Sequence, residues 1–186
     1  MRPHPSLAAL AFLLTAVACS KEGSAGGGAG DGAGTPAKPP ATVESAKAML
    51  SKFVAPGADH VALSKTMQPT AADYALVFAD PVIAEKAANA YGDLWNQIDK
   101  SPIAPKDGQT EVLVSRATTD ELQQWTGNAD DFPGGYKTAA KHLRPGLTVF
   151  RFKFVKPGET SGMAFDGLYD LDGRWVLIPK PWRIVE

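Results

Sequence analysis

The sequence predicts an α+β fold, with amino-terminal helices packed on a curved antiparallel sheet of about four strands. Three observations carry this expectation. Apolar residues recur at helical spacing from Val43 to Ile98, whereas two-residue alternation is confined to the chain after Gln109. Asp172-Gly173 stands between two apolar runs, and that dipeptide joins adjacent antiparallel strands because both of its residues take positive φ. Helices come first and strands later, with one helical interruption, rather than in the regular alternation of a parallel βαβ sheet.

Taken in order, Thr42 caps a first helix in which Val43, Ala46, Met49, Leu50 and Phe53 share one face, and Pro56-Gly57 ends it. A second short helix spans 59–67, before Pro69. Thr70 and Asp73 have capping-box spacing and open a third helix through Tyr74, Val77 and Phe78. Asp80-Pro81 combines a cap with proline at the first helical position and starts the longest helix. There Ile83, Ala87, Ala90, Tyr91, Leu94, Trp95 and Ile98 form one apolar stripe. Ile83, Tyr91, Leu94 and Trp95 are expected to bury against the sheet face that carries Phe150, Phe152 and Phe154. A Pro/Gly loop over 100–109 precedes a strand at 110–117, and Thr118 with Glu121 caps a short helix carrying Leu122 and Trp125. An acidic loop over 128–135 and a short helix over 136–143 complete the interruption.

The carboxy-terminal third declares its strands and turns most clearly. In residues 147–155, Phe150, Phe152 and Phe154 fall on one side and Arg151 and Lys153 on the other. A turn-rich loop leads to runs at 163–171 and 174–178. A two-residue turn at Asp172-Gly173 sets Leu171 opposite Arg174, Tyr169 opposite Val176 and Gly167 opposite Ile178, with Leu168 and Leu177 paired on the other face. Both faces of the hairpin are then partly apolar. One should pack on helices, leaving the other for a lid, a ligand or a partner.

The amino terminus reads differently. Arg2 followed by the apolar stretch from Leu7 to Ala18 forms an export signal over 1–18, too short to span a bilayer. Its end, Ala16-Val17-Ala18-Cys19, resembles the lipobox of bacterial lipoproteins, departing from it at Ala16, where a leucine is usual. The resemblance implies acylation of Cys19, the single cysteine of the chain, and a membrane anchor through that lipid. With Ser20 next in sequence, it implies an outer-membrane address in the cell envelope. Ala16-Val17-Ala18 also suits ordinary signal peptidase, which would leave Cys19 as a thiol on a soluble periplasmic or secreted protein. Residues 19–42, rich in Gly, Ala, Ser and Pro, form a flexible tether with a reach of about 25 Å. A single α+β domain is expected over 43–186.

Helices feeding a curved antiparallel sheet resemble the cone-shaped domains similar to nuclear transport factor 2, in which a long helix lies across the concave face. The likeness is one of element order, without a diagnostic motif, and the chain departs from it in extra amino-terminal helices and a helical insertion. It implies a pocket inside a cone, and it leaves function open because that architecture hosts enzymes, binders and assembly modules alike.

A net charge of −1 gives no electrostatic footprint for nucleic acid. No nucleophile elbow, P-loop or histidine pair at ligand spacing occurs. His60 and His142 are widely separated and read as helix-surface residues. Asp166, Asp170 and Asp172 do not make a calcium loop, because Leu168 takes the first ligand position and no glutamate closes twelve residues. No metal site and no cofactor are therefore expected. Trp175, Trp182, Arg174, Lys180 and Arg183 have the residue types of a binding surface, though both tryptophans can equally close the core.

Two function classes follow. One is a lipid-anchored, non-catalytic binding or assembly module that meets an envelope protein, an envelope polymer or a small apolar ligand through an open sheet face, with a homodimer through the sheet as a further partnership. The alternative is a pocket enzyme of the cone kind, of isomerase or dehydratase type, with Asp166 as the acid and Tyr74 or Tyr91 as a proton donor. Deep burial of Asp166 beside a phenol and a cavity separates the second from the first.

Overall fold

The computed structural model describes residues 41–186. The export signal, Cys19 and the tether as far as Pro40 lie outside them. The fold is α+β: helices occupy the amino-terminal side and a four-stranded antiparallel sheet follows. Among the described residues no helix is long and apolar enough to cross a membrane.

Helix α1 (Val43–Leu50) starts at a capping box in which Thr42 and Ser45 satisfy each other's backbone N–H, and it runs into a 3-10 turn over Ser51–Val54. Helix α2 (His60–Lys65) is capped by Asp59, and α3 (Ala71–Val77) by the Thr70/Asp73 box. Helix α4 (Pro81–Trp95) begins where Asp80 accepts the Val82 N–H and Pro81 brings no N–H that needs a partner. Strand β1 (Glu111–Thr118) leads through α5 (Thr119–Gln124) and α6 (Tyr136–Ala139) to β2 (Thr148–Val155), β3 (Gly162–Leu171) and β4 (Arg174–Leu177). A last turn of helix, α7 (Trp182–Val185), ends the chain.

The strands lie in the order β1-β2-β3-β4. The β3–β4 register is Leu168 with Leu177, Tyr169 with Val176 and Leu171 with Arg174, as the two-residue turn requires. Asp172 (φ 53°) and Gly173 (φ 89°) both take the left-handed conformation of that turn. Between β2 and β3 the pairing slips: Phe150 faces Leu168 but Phe152 faces Phe165, so Asp166 and Gly167 together oppose Arg151. This is a β-bulge, and it re-aims the side chains beside it. Gly167 sits there at φ +78°, where an added Cβ would lie 2.0 Å from the carbonyl oxygen of Ile178.

Two expectations need correction. The face carrying Phe150, Phe152 and Phe154 is buried, but part of its cover comes from α1 and the following turn, with the Phe53 ring 5.9 Å from that of Phe154. The buried line of α4 runs through Ala84, Ala87, Tyr91 and Trp95, leaving Leu94 44% exposed. Helix α4 packs on α3, with Tyr74 stacked on Tyr91 at 5.8 Å.

The second correction concerns the open sheet face expected to meet a ligand or partner: of the lid, ligand or partner expected over the hairpin, the described residues supply a lid, and neither face is left open. Leu168 and Leu177 are buried on one side, and Tyr169, Val176 and Ile178 on the other. The lid is the chain's own, since Tyr136 of α6 reaches Asp166 on β3. The outer edge of β4 is occupied as well, because Leu177 N–H donates to the Met67 carbonyl and Arg174 pairs with Asp73 and Gln68. What stays open is the first half of β3: beyond Leu168, β4 no longer runs beside it.

Candidate functional site

Where β4 stops, the uncovered start of β3, the end of α4, the 97–104 loop and α7 enclose a cavity of about 780 Å³. This lies within the range of about 300–1,000 Å³ typical of small-ligand sites. Its wall is mostly apolar, with Leu94, Ile98, Ile103, Met163, Phe165 and Ile184 among the contributors. Polar groups are few: Asp166, Tyr91, Lys180 and Arg183, with Gln97 and Ser101.

Asp166 is the centre of this arrangement. Strand alternation points it away from Phe165, and the bulge seats it beneath the chain leaving β4. Its Oδ1 accepts the Lys180 backbone N–H at 2.9 Å and the Tyr136 hydroxyl at 3.3 Å. Both bonds end on the same oxygen, so Oδ2 has no hydrogen-bond partner among the described residues. Burial pushes the Asp166 carboxyl above its ordinary range, against the opposing pull of the Lys180 amide, the Tyr136 hydroxyl and the charges of Lys180 and Arg151. Burial likewise raises Tyr136, with Tyr169, Asp166 and Tyr91 adding to the effect. Three phenols thus gather about one carboxyl, all neutral near pH 7.

The other side chains place themselves around it. Tyr91 donates to the Pro179 carbonyl at 2.7 Å, fixing α4 against the exit from β4. Trp95 lines the cavity while its buried indole N–H meets no acceptor, as does the hydroxyl of Tyr169 deeper in the core. Lys86 Nζ donates to the Ile184 carbonyl and holds α7 onto α4. Lys180 and Arg183 are exposed at the cavity.

The five residues of the aromatic and basic cluster do not share this place. Lys180 and Arg183 line the cavity, whereas Trp175 packs edge-on to Phe150 at 5.4 Å and Trp182 edge-on to Tyr136 at 5.4 Å. Arg174, at the turn end of β4, is taken up by Asp73. Of the phenols named from the sequence, Tyr91 lines the cavity and Tyr74 does not; Tyr136, the one bonded to Asp166, carried no signal of its own. It comes from a four-residue helix in an insertion, too short for any periodicity to mark its inward face. His60 binds the Phe53 carbonyl through Nε2 at 2.8 Å, a structural contact.

Chemically, a carboxyl with one oxygen held and one uncommitted, inside an apolar wall, can hydrogen-bond a polar ligand group or exchange a proton with it. No family model, curated protein or solved structure matches the chain.

Proposed function

We propose that the chain is a lipid-anchored envelope protein whose folded part is a binding module for a small ligand held in the cavity beside Asp166. A single observation carries the ligand site: a buried carboxyl lines a cavity of about 780 Å³ while both of its protein hydrogen bonds fall on Oδ1. Oδ2 is left without a protein partner and is free to meet a ligand group. The anchor and the envelope address rest on the signal over 1–18 and Cys19. With both faces of the hairpin buried, ligand binding belongs to the cavity rather than to an open sheet face.

Native mass spectrometry of protein extracted from its own membranes tests this. The wild type should carry a non-covalent small-molecule adduct. Ala90→Trp, at an exposed helix position that also lines the cavity, should lose it while melting normally. Equal adduct in both forms, or none in the wild type, would sink the reading.

Asp166 also meets the condition for the pocket enzyme, being 6% exposed, bonded to a phenol and raised in pKa. In that reading Oδ2 exchanges a proton with a carbon acid and Tyr136 holds the carboxyl in place. Deuterium incorporation next to the carbonyl of apolar ketones in D2O, abolished by Asp166→Ala, is its expected signature. No exchange above the uncatalysed rate would remove it.

A further inference from the structure

We propose that the ligand of this cavity is a single-chain amphiphile with an anionic head group, carboxylate or phosphate, lying between Lys180 and Arg183 with its aliphatic tail on the Phe165 wall. This rests on the cavity being a ligand site and specifies what fills it. Three observations point to that chemistry.

The first is charge. Lys180 and Arg183 stand three residues apart, both exposed and both lining the cavity. Among the described residues neither forms an ion pair, in contrast to Arg174 and Lys65, which are matched by Asp73 and Asp99. Two unpaired cations at the entrance to a low-dielectric space favour an anion there. Asp166 is a weaker counter-charge than an exposed aspartate, since its Oδ1 is taken by the Lys180 N–H and the Tyr136 hydroxyl and burial raises its pKa.

The second is the wall. Behind the cations come Met163, Phe165, Ile98, Ile103 and Ile184, an apolar lining with no charged group other than Asp166. Leu94 adds an apolar side chain 44% exposed to water, which a tail would cover. The third is an uncommitted polar atom at the site. Asp166 lines the cavity with both of its protein hydrogen bonds on Oδ1, which leaves Oδ2 without a protein partner. It suits one polar substituent on an otherwise apolar chain.

The test uses the full chain with Cys19→Ser, titrated calorimetrically below the micelle concentration of each probe. Dodecanoate and dodecyl phosphate should bind saturably at one site. Affinity should rise about fourfold per methylene from octanoate to dodecanoate. Dodecanol should bind at least about tenfold more weakly, with the gap narrowing as salt is added. Lys180→Gly/Arg183→Ala, with glycine suited to the φ of 54° at position 180, should bring dodecanoate down to the dodecanol level and leave dodecanol unchanged. A tenfold preference between the two anions assigns a fatty-acid or a phospholipid-derived source. Equal affinity for dodecanoate and dodecanol, or undiminished binding by the double variant, overturns the proposal. Tighter binding of dodecyltrimethylammonium than of dodecanoate also overturns it: the head group then belongs to Asp166, and the cavity remains a ligand site. Absence of binding by every chain overturns the amphiphile class, and the Ala90→Trp comparison decides separately whether the cavity is a site at all.

Discussion

The backbone N–H of Lys180 donates to Oδ1 of Asp166 at 2.9 Å, and the Tyr136 hydroxyl shares that oxygen. One buried carboxyl oxygen therefore ties together β3, the chain leaving β4 and the helical insertion between β1 and β2. It also brings Lys180 to the cavity, at a left-handed φ of 54° that lysine seldom adopts without such a tie.

The pH dependence of stability follows from the raised Asp166 carboxyl. Between the ordinary aspartate value and the higher native one, the folded state binds more protons than the unfolded state, so stability falls as pH rises through that window. Asp166→Asn cannot ionise, and its Oδ1 still accepts both bonds. Relative to wild type it should gain stability as pH rises above the ordinary aspartate value of about 4, with the difference closing below it. Asp166→Leu strands the Lys180 N–H and the Tyr136 hydroxyl and should lose about 3 kcal/mol near pH 3, a deficit that narrows as pH rises because leucine does not ionise either. Urea unfolding from pH 3 to 8 measures all three; parallel wild-type and asparagine curves would mean that the carboxyl titrates normally.

The two hairpin glycines should respond unequally. Gly173→Ala carries the strain of positive φ, roughly 1–2 kcal/mol. Gly167→Ala adds a Cβ 2.0 Å from the Ile178 carbonyl oxygen, backbone that cannot swing aside. Its loss should exceed that of Gly173→Ala by at least about 1 kcal/mol. Gly173→Val, β-branched in a left-handed turn position, should be worse than Gly173→Ala. Thermal melts rank the three, and Gly167→Ala at wild-type stability would show that the bulge relaxes.

Phe152 is wholly buried, with Phe154 at 5.5 Å and Phe165 at 5.1 Å. Phe152→Ala should destabilise by about 3–5 kcal/mol. Because Phe165 lines the cavity, the variant should also loosen ligand binding, which a thermal shift with and without ligand would reveal. A stability loss under about 1 kcal/mol would mean that the site collapses around the deletion.

Cys19→Ser should release the chain from membranes into the soluble periplasmic fraction with an unchanged melting temperature. Multiple acyl chains, at about 0.8 kcal/mol per buried methylene, hold a protein on a bilayer as a single chain does not. Fatty-acid incorporation and fractionation of both forms check this. A native protein that takes up no lipid and fractionates as soluble has an exported thiol at Cys19 instead.

The elements were legible because their signals are local. Thr42, Thr70 with Asp73, Asp80-Pro81, Thr118 with Glu121 and Asp172-Gly173 each act over three or four residues, and each stands where sequence spacing puts it. The hairpin register came with the turn, since its length leaves no freedom in the pairing. The exposure of Leu94 was not legible. The phase of an amphipathic helix depends on which neighbours pack on it, and α4 is packed by α3 and α7, with Ala84 and Ala87 on its buried line.

The sequence by itself determined the α+β class, the caps, the turn and the core strands, and it singled out Asp166 among many carboxylates. Only the tertiary structure decided that Asp166 is buried rather than at a hairpin surface, that its phenol is Tyr136, and that Lys180 and Arg183 part company with Arg174 and the tryptophans. The reason is range. A bulge between β2 and β3, a four-residue helix thirty residues away and a strand that stops short are facts about distant segments meeting, and no local pattern encodes where they meet.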